Sequence, residues 1–352
     1  MDIYICSSSM AVSAILTLLG PDPERGKFKI ITTYPAGRMI MGKLYGDENV
    51  LSVEIPAQNR NSMRPARAIN GALAVLSVRL SAGKILSSYS GHRVHFFSVA
   101  FAPVEFWMVK KLSANNKVIY HQIVAKPAGF KKTLSLKTLV YKAAYRILYG
   151  MDVEVGYGGG RYITYMPASF YASTVSEEHL WDKPLVIKEN AAFLDKLGLD
   201  LKGKEILLAP HDSPGNGITG EDEYLKRMDE LIKALSKNGL LAKTALKPHP
   251  VWRRLYGMEK DISVAAPDYV TSEIIMSSFN CVISYASAAL IWAAKSGKHA
   301  ISLLDYIDPI DPECREIYRR YLDGESNGKI CYPKNIDEII SAVGLGCDGR
   351  KS

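Results

Sequence analysis

Short apolar runs alternate with helical patterns along the chain, and this alternation limits the possible folds more than any other feature of the sequence. In the first half, the runs that favour strands are residues 3–6, 28–34, 50–55, 94–100 and 117–123. Helical spacing predicts helices over residues 10–19, 65–80 (with Ile69, Leu73, Leu76 and Leu80 in register), 104–112 and 134–149. Because parallel strands need crossover helices, we expect a parallel sheet covered on both faces.

The second half repeats the pattern. Predicted strands at 205–209, 241–246, 262–264, 281–285 and 300–304 alternate with helices at 222–238, 272–279 and 286–296. A Lys- and Gly-rich stretch at 191–204 is predicted to link two domains, residues 1–195 and residues 196–352. The predicted fold class is α/β and GT-B-like, with two Rossmann-like domains facing a cleft. Ligands are expected beyond the carboxyl ends of the strands.

Composition excludes several other classes of protein. Apolar residues make up 47% and charged residues 23%, which is typical of globular chains and not of disordered or coiled-coil ones. No apolar run reaches the roughly 18–20 residues of a membrane span, and the first residues lack the positive region of a signal peptide. The five cysteines are scattered without a CxxC pair, which disfavours a disulfide framework and favours a cytoplasmic location.

Positive charge is concentrated in the first half. Residues 1–151 contain 20 Lys and Arg against 7 Asp and Glu, or +13, whereas the remainder has 24 against 29, or −5. Glu105 is the only acidic residue between Ala57 and Met151. This asymmetry predicts a polyanionic partner, and basic surface without a partner is the alternative. Nucleic acid is not expected, because no basic and aromatic RNA-binding motif is present. The residues predicted to bind an acidic acceptor are Lys126, Lys131, Lys132 and Lys137.

The sharpest local motif is Lys247-Pro248-His249-Pro250, directly after a predicted strand. Two prolines restrain the backbone around one histidine at the end of a sheet where a ligand would approach. An imidazole can donate a hydrogen bond, and its protonated form also stabilises phosphate charge. A loop histidine held only by turn geometry is the alternative.

Two helix starts follow within about 40 residues of that motif. Thr271 or Ser272 is a predicted N-cap, which puts Glu273 in the first turn, where it could accept hydrogen bonds from ribose or simply complement the helix dipole. Ser284 and Ser287 lie where a strand runs into a helix. Backbone N–H groups and a serine hydroxyl at that start could bind phosphate, or the serine could only cap the helix.

The order of these motifs resembles the bacterial sialyltransferases, closest to the capsule polysialyltransferases and lipooligosaccharide sialyltransferases. The shared pattern is KPHP, then P-x(5)-E opening a helix, then a strand ending in S-x-x-S-A-A-L, and it is well supported by motifs from about residue 201 to residue 304. The resemblance implies a GT-B fold, a CMP-sialic acid donor, and no metal or other cofactor. It implies that His249 contacts or protonates the CMP phosphate and that Glu273 holds the ribose. It also implies that Ser284 and Ser287 bind phosphate, with the Lys247-Pro248 backbone near cytosine.

The first half departs from that family. The family has a D/E-D/E-G motif after a strand, and its acid is the general base, whereas here the strand continues as His121-Gln122-Ile123. The candidate bases are therefore His121, whose unperturbed pKa of about 6.5 suits proton abstraction, and Glu105. A stacked structural role is the alternative for His121. Further candidates for the cleft are Ser8, His211, Asp212 and Ser213; for the last three, turn formation is the alternative.

These observations predict an inverting glycosyltransferase that moves sialic acid from CMP-sialic acid to a hydroxyl of an acidic surface glycan, such as capsule or lipooligosaccharide. The expected partners are the nucleotide-sugar donor, an acidic glycan or glycolipid acceptor, and an anionic membrane surface on the inner face of the cell membrane. One alternative is a CDP-glycerol-type phosphotransferase of wall-polymer synthesis. The other is a non-catalytic relative that binds nucleotide or glycan, since the usual acidic base is missing.

Overall fold

Both halves of the chain are built on parallel β-sheet. The computed structural model describes residues 1–54, 64–97, 103–122, 131–132, 135–149, 154–158, 161–165, 175–179, 187, 190–211, 213–215, 217–249 and 255–348. The chain divides into two units, Met1–Lys183 and Pro184–Ser352. Each unit has its own sheet and its own apolar core.

The strands of the first unit are β1 (Asp2–Cys6), β2 (Phe28–Thr32), β3 (Val50–Ser52), β4 (Arg93–Phe97), β5 (Lys117–Gln122), β6 (Lys131–Lys132), β7 (Glu154–Gly158), β8 (Arg161–Tyr165) and β9 (Val175–His179). Among these described strands, six form a parallel sheet in the order β3-β2-β1-β4-β5-β9, and β6, β7 and β8 form an antiparallel one. The order of the parallel sheet reverses between β1 and β4, and this switch point is where Rossmann sheets bind ligands.

Helices cover the first sheet, and they are α1 (Ser9–Leu19), α2 (Pro35–Tyr45), α3 (Arg64–Ser88), α4 (Pro103–Ser113) and α5 (Leu136–Tyr149). Strand alternation separates the two faces of the sheet. Ile3 and Ile5 of β1 are buried in an apolar cluster with residues of α3 and α4. The intervening Tyr4 and Cys6 point to the opposite face together with His95 of β4, because Tyr4 pairs with His95 in parallel register.

The start of α2 comes very close to the ends of β1 and β2. A Cβ added at Gly37 would lie 2.8 Å from the Cys6 Sγ and 3.0 Å from the Thr32 Oγ1. The Thr32 hydroxyl is held in place because it donates to the Cys6 carbonyl at 2.9 Å. Position 37 therefore has room only for glycine, and this close approach fixes α2 against the carboxyl edge of the sheet.

The strands of the second unit are β10 (Ile206–Leu208), β11 (Thr244–Leu246), β12 (Cys281–Ser284), β13 (His299–Ser302) and β14 (Ile330–Cys331). These five described strands form a parallel sheet in the order β11-β10-β12-β13-β14, so its switch point lies between β10 and β12. The described helices are α6 (Ala191–Leu197), α7 (Glu221–Lys237), α8 (Ser272–Ile275), α9 (Ala288–Lys295), α10 (Pro312–Ser326) and α11 (Ile336–Asp348).

Helix α7 shows how the sequence determines these elements. Three acidic residues occupy its first turn and Lys237 its last, which matches the helix dipole. The helical spacing predicts a buried face of Leu225, Met228, Ile232 and Leu235. The last three are buried and Leu225 is only half-buried, while Tyr224 and Leu231 are buried as well.

The predicted fold class, α/β with two Rossmann-like domains, is confirmed. Residues 191–204 were expected to form a linker, but Ala191–Leu197 is a helix whose Phe193 is buried in the second unit. The chain divides after Lys183, twelve residues before the predicted boundary at 195, because the Asn190 amide already bonds to the Ile274 carbonyl. The prediction of a strand at 262–264 is wrong, because Val264 makes only a single bridge to Leu246.

The close approach at Gly37 predicts an unusual response to a small substitution. Gly37→Ala should lower the free energy of unfolding by about 1–3 kcal/mol, because the new methyl group overpacks against Cys6 and Thr32. The matched control is Gly83→Ala in α3, where the nearest atom, on Trp107, is 3.8 Å from the added Cβ. That variant should gain about 0.5–1 kcal/mol, the usual helical advantage of alanine over glycine. Urea unfolding of both variants checks this, and an equal response of the two would contradict it.

Candidate functional site

The KPHP loop is attached to the second sheet at the end of β11. The Lys247 backbone N–H donates to the Leu208 carbonyl at 2.9 Å, which ties the loop to β10. The Lys247 side chain is only 3% exposed, and its Nζ donates to the carbonyls of Pro248 and Asp268, the latter at 3.5 Å. His249 follows, half-buried. The ammonium thus lies beneath the loop, and it holds the backbone and His249 at the carboxyl edge.

At Lys247 and Glu273, burial and the neighbouring charges shift the side-chain pKa values in opposite directions. Burial lowers the pKa of Lys247 to about 7, although the charges of Glu273 and Asp268 oppose this shift. Burial likewise raises the pKa of Glu273, and hydrogen bonds from Ser272 and Thr271, together with the charge of Lys247, oppose it. The Ser272 hydroxyl lies 3.3 Å from the Glu273 Oε2. The two buried groups therefore stabilise each other's charged forms, which the sequence motifs alone did not reveal.

Two buried serines fix the carbonyls beside the second switch point. The Ser284 hydroxyl donates to the Ala209 carbonyl at 2.6 Å, and the Ser302 hydroxyl donates to the Tyr285 carbonyl at 2.6 Å. Both serines are fully buried. Ser284 therefore joins β12 to the end of β10. To donate to a phosphate, its hydroxyl would have to give up the hydrogen bond to the Ala209 carbonyl. Ser302 was not singled out in the sequence, since a lone strand serine gives no signal.

Ser287 is the N-cap of α9. Its Oγ accepts from the Ala289 N–H at 3.2 Å, and the backbone N–H groups of the first turn face the carboxyl edge of the sheet. Ser287 thus has the capping role that was the alternative to phosphate binding. It does not compete with phosphate binding at the same helix start, where further N–H groups and the dipole favour an anion.

The loop after β10 is folded around Ser213. Its backbone N–H and hydroxyl lie 2.7 Å and 3.3 Å from the His211 carbonyl, and its own carbonyl accepts from the Ile218 N–H. The His211 ring stacks on Tyr285 with centroids 6.4 Å apart. This is the turn formation considered for these residues, and it puts His211 next to β12. Asp212 lies outside the described residues.

In the first unit, Cys6 ends β1 and Ser8 precedes α1 beside the switch point, and the charge of Glu105 acts on Cys6. Ser8 caps α1 through an Oγ that accepts from the Ala11 N–H at 3.2 Å. Glu105 is buried in the first turn of α4. Burial raises the pKa of the Cys6 thiol to about 12, and the nearby charge of Glu105 adds to this shift while the Thr32 hydrogen bond opposes it. Cys6 is thus held as an uncharged thiol, and the acid at this edge is Glu105.

His121 ends β5 and belongs to a row of polar side chains across the sheet. Its Nε2 lies 2.8 Å from the His95 Nδ1, and the His95 Nε2 lies 3.5 Å from the Asp2 carboxylate. The His121 ring stacks between His95 and Phe97. The carboxylate favours a proton on the His95 Nε2, so the His95 Nδ1 accepts from the His121 Nε2–H. His121 is buried, and strand β9 places Glu178 in register beside it. His121 therefore both stacks against neighbouring rings, the structural role considered as the alternative, and belongs to the polar row.

The lysines predicted to bind an acceptor are only partly described. Lys131 and Lys132 form β6, which pairs with β7. Lys137 lies in the first turn of α5, and Lys126 lies outside the described residues. Their role stays a prediction.

The described part of the chain contains no group of three or more His, Cys, Asp and Glu side chains placed to hold a metal ion. None of the described cysteines, Cys6, Cys281, Cys314 and Cys331, is in a disulfide.

No protein-family model matches this sequence, and no curated protein matches it significantly. Among solved structures, the UDP-GlcNAc 2-epimerase from Methanocaldococcus jannaschii is 10% identical with a TM-score of 0.49, over 100% of this chain and 94% of that one. The calicheamicin glycosyltransferase CalG4 is 10% identical with a TM-score of 0.44, over 97% and 98%. The wall teichoic acid polymerase TagF is 15% identical with a TM-score of 0.41, over 99% and 82%.

The buried lysine predicts a dependence of stability on pH. Between the folded pKa of Lys247 of about 7 and its ordinary value of 10.5, the unfolded chain binds more protons at this residue than the folded chain. The free energy of unfolding should therefore rise with pH in this window. Between pH 7 and pH 9, the free energy of unfolding of Lys247→Met should therefore increase by about 2 kcal/mol less than that of the original chain.

Urea unfolding at the two pH values measures this difference. The matched control is Lys329→Met, at an exposed lysine of the same unit, which should keep the slope of the original chain. An unchanged slope in Lys247→Met would show that Lys247 does not titrate in this range.

Proposed function

We propose that the chain is an inverting glycosyltransferase that moves sialic acid from CMP-sialic acid to a hydroxyl of an acidic surface glycan. One observation carries the proposal. The KPHP loop and the starts of α8 and α9, which form the sequence pattern of the bacterial sialyltransferases, lie together at the carboxyl edge of the second sheet. This is the edge where a Rossmann-like sheet binds a nucleotide.

The donor half of the reaction needs groups that stabilise the departing phosphate. The acceptor oxygen attacks the anomeric carbon of sialic acid while the bond from that carbon to the phosphate oxygen breaks, and CMP leaves with added negative charge. His249 donates to this phosphate, and the N-terminus of α9 with Ser287 binds it. Glu273 accepts from the ribose hydroxyls, and the Lys247-Pro248 backbone lies against cytosine. Ser284 acts by holding the Ala209 carbonyl and so fixing the shape of this edge.

The acceptor half needs a base in the first unit. We assign this role to His121, because the row from Asp2 through His95 orients its ring near the carboxyl end of β5. A neutral imidazole can take the proton of the acceptor hydroxyl as the new bond forms, which here requires the acceptor to reach a buried ring. Glu105, buried at the neighbouring switch point, is the competing candidate. The basic residues of the first half, with Lys126, Lys131, Lys132 and Lys137 among them, hold the acidic acceptor.

The donor assignment predicts a clear nucleotide preference. Calorimetric titration should show tighter binding of CMP than of UDP or CDP, and CMP-sialic acid should be hydrolysed or transferred to a sialylated acceptor. His249→Ala should lower turnover by roughly a hundredfold, the usual cost of removing one donor to a developing charge. The control is His299→Ala, which changes an exposed histidine at the opposite end of β13 and should leave turnover unchanged.

The outcomes separate the candidate functions. Preference for UDP would contradict the sialyltransferase assignment. Turnover of CDP-glycerol in place of CMP-sialic acid would favour the phosphotransferase. Binding of CMP with no turnover would favour a non-catalytic relative.

The base assignment is tested by substitution in the first unit. His121→Asn should lower transfer by roughly a hundredfold to ten thousandfold, the range for loss of a general base, with little change in CMP binding. Glu105→Gln should lower transfer by less than about tenfold, since the remaining base still acts. His92→Asn is the control, because His92 lies at the amino end of β4 and contacts Tyr89. A larger loss in Glu105→Gln than in His121→Asn would move the role to Glu105.

A further inference from the structure

Helix α5 exposes its apolar side. Leu136 and Ile147 are each 80% exposed, and Leu139 and Val140 lie between them with 49% and 61% exposed. These positions follow the helical repeat and form one stripe. Thr138, on the other side of the helix, is buried, and it exchanges capping hydrogen bonds with Ser135 that fix the helix start. The apolar stripe of α5 therefore points away from the core of its own unit.

Helix α3, which packs against α5, has the same arrangement. Leu73, Leu76 and Leu80 are 51–79% exposed, although the spacing of these residues is typical of a buried stripe. The core is instead contacted by the opposite face, where Val75 and Val78 are buried. Two neighbouring helices of the first unit thus each leave a row of large apolar side chains in water. Ordinary protein surfaces expose such side chains singly rather than in rows.

The charged residues of these two helices themselves are all positive. Lys142 and Arg146 are exposed on α5, and Arg79 and Lys84 are exposed on α3. The only acidic residue between positions 57 and 151, Glu105, is buried. A surface that combines apolar stripes with basic edges fits an anionic lipid bilayer, because the side chains enter the boundary of the acyl region while Lys and Arg meet the headgroups.

We propose that α5, together with α3, docks the first unit onto the surface of an anionic membrane. Within the described residues, no helix is long and apolar enough to cross a bilayer, so the contact is one of helices lying at the interface. A second copy of this chain is a poorer occupant, because it would bring the same positive charges against each other. The inference goes beyond the proposed function and does not depend on it.

Flotation with lipid vesicles tests the proposal. The full chain should bind vesicles that contain phosphatidylglycerol, should not bind vesicles of phosphatidylcholine alone, and should dissociate as salt is raised. Leu136→Ser/Ile147→Ser should lower the bound fraction roughly tenfold or more, since it removes the two most exposed side chains of the stripe. Its control is Ile310→Ser, which changes an apolar residue of the second unit that is 66% exposed.

A second pair of variants tests the charges separately. Lys142→Glu/Arg146→Glu should also abolish most binding, whereas Lys260→Glu/Lys329→Glu, with the same change in net charge on exposed residues of the second unit, should retain it. Thermal unfolding midpoints close to that of the original chain would show that the variants stay folded, as expected for exposed positions. Failure to bind phosphatidylglycerol vesicles, or equal binding by all variants, would overturn the proposal. A dimer in sedimentation that the serine variant dissolves would assign the surface to a second copy instead.

Discussion

The buried ammonium of Lys247 is the interaction on which the candidate donor site depends. A lysine so deeply buried is unfavourable unless its charge is compensated, and here two backbone carbonyls and the carboxylates of Glu273 and Asp268 compensate it in part, since burial still lowers its pKa to about 7. The same contacts connect the KPHP loop to the loop that precedes α8. The lysine therefore acts from below, holding in place the backbone and the histidine that face a ligand.

A similar principle operates in the first unit, where Glu105 is the only acidic residue between Ala57 and Met151. Asp2, at one end of the polar row, lies at the amino end of β1 and also pairs with Arg93, and on the other side of His121 strand β9 places Glu178 in register with it. The influence of Asp2 reaches the carboxyl edge through the ring of His95. Because strand residues alternate between faces, all three side chains of this row come to lie on one face of the sheet. The row therefore orients the ring of His121.

Much of this fold follows from the sequence, because a chain that alternates strands and helices can bury its apolar faces in only a few architectures. Of the donor motifs, Lys247 and Glu273 lie close enough for their charges to interact. The burial of Lys247 and its coupling to Glu273 could not be predicted, because contacts between separate loops leave no periodic signal. The spacing of Leu73, Leu76 and Leu80 predicted a helix correctly, but spacing alone does not reveal which face of a helix is buried. Helix α6 was missed because a short segment rich in Lys and Gly is typical of a linker.

The central claim is that a cytidine nucleotide binds at the carboxyl edge of the second sheet. A crystal structure with CMP tests it most directly. The account predicts the phosphate at the N-terminus of α9, within hydrogen-bond distance of Ser287 and His249, and the ribose beside Glu273. CMP bound at the switch point of the first sheet, or a phosphate remote from both Ser287 and His249, would contradict it.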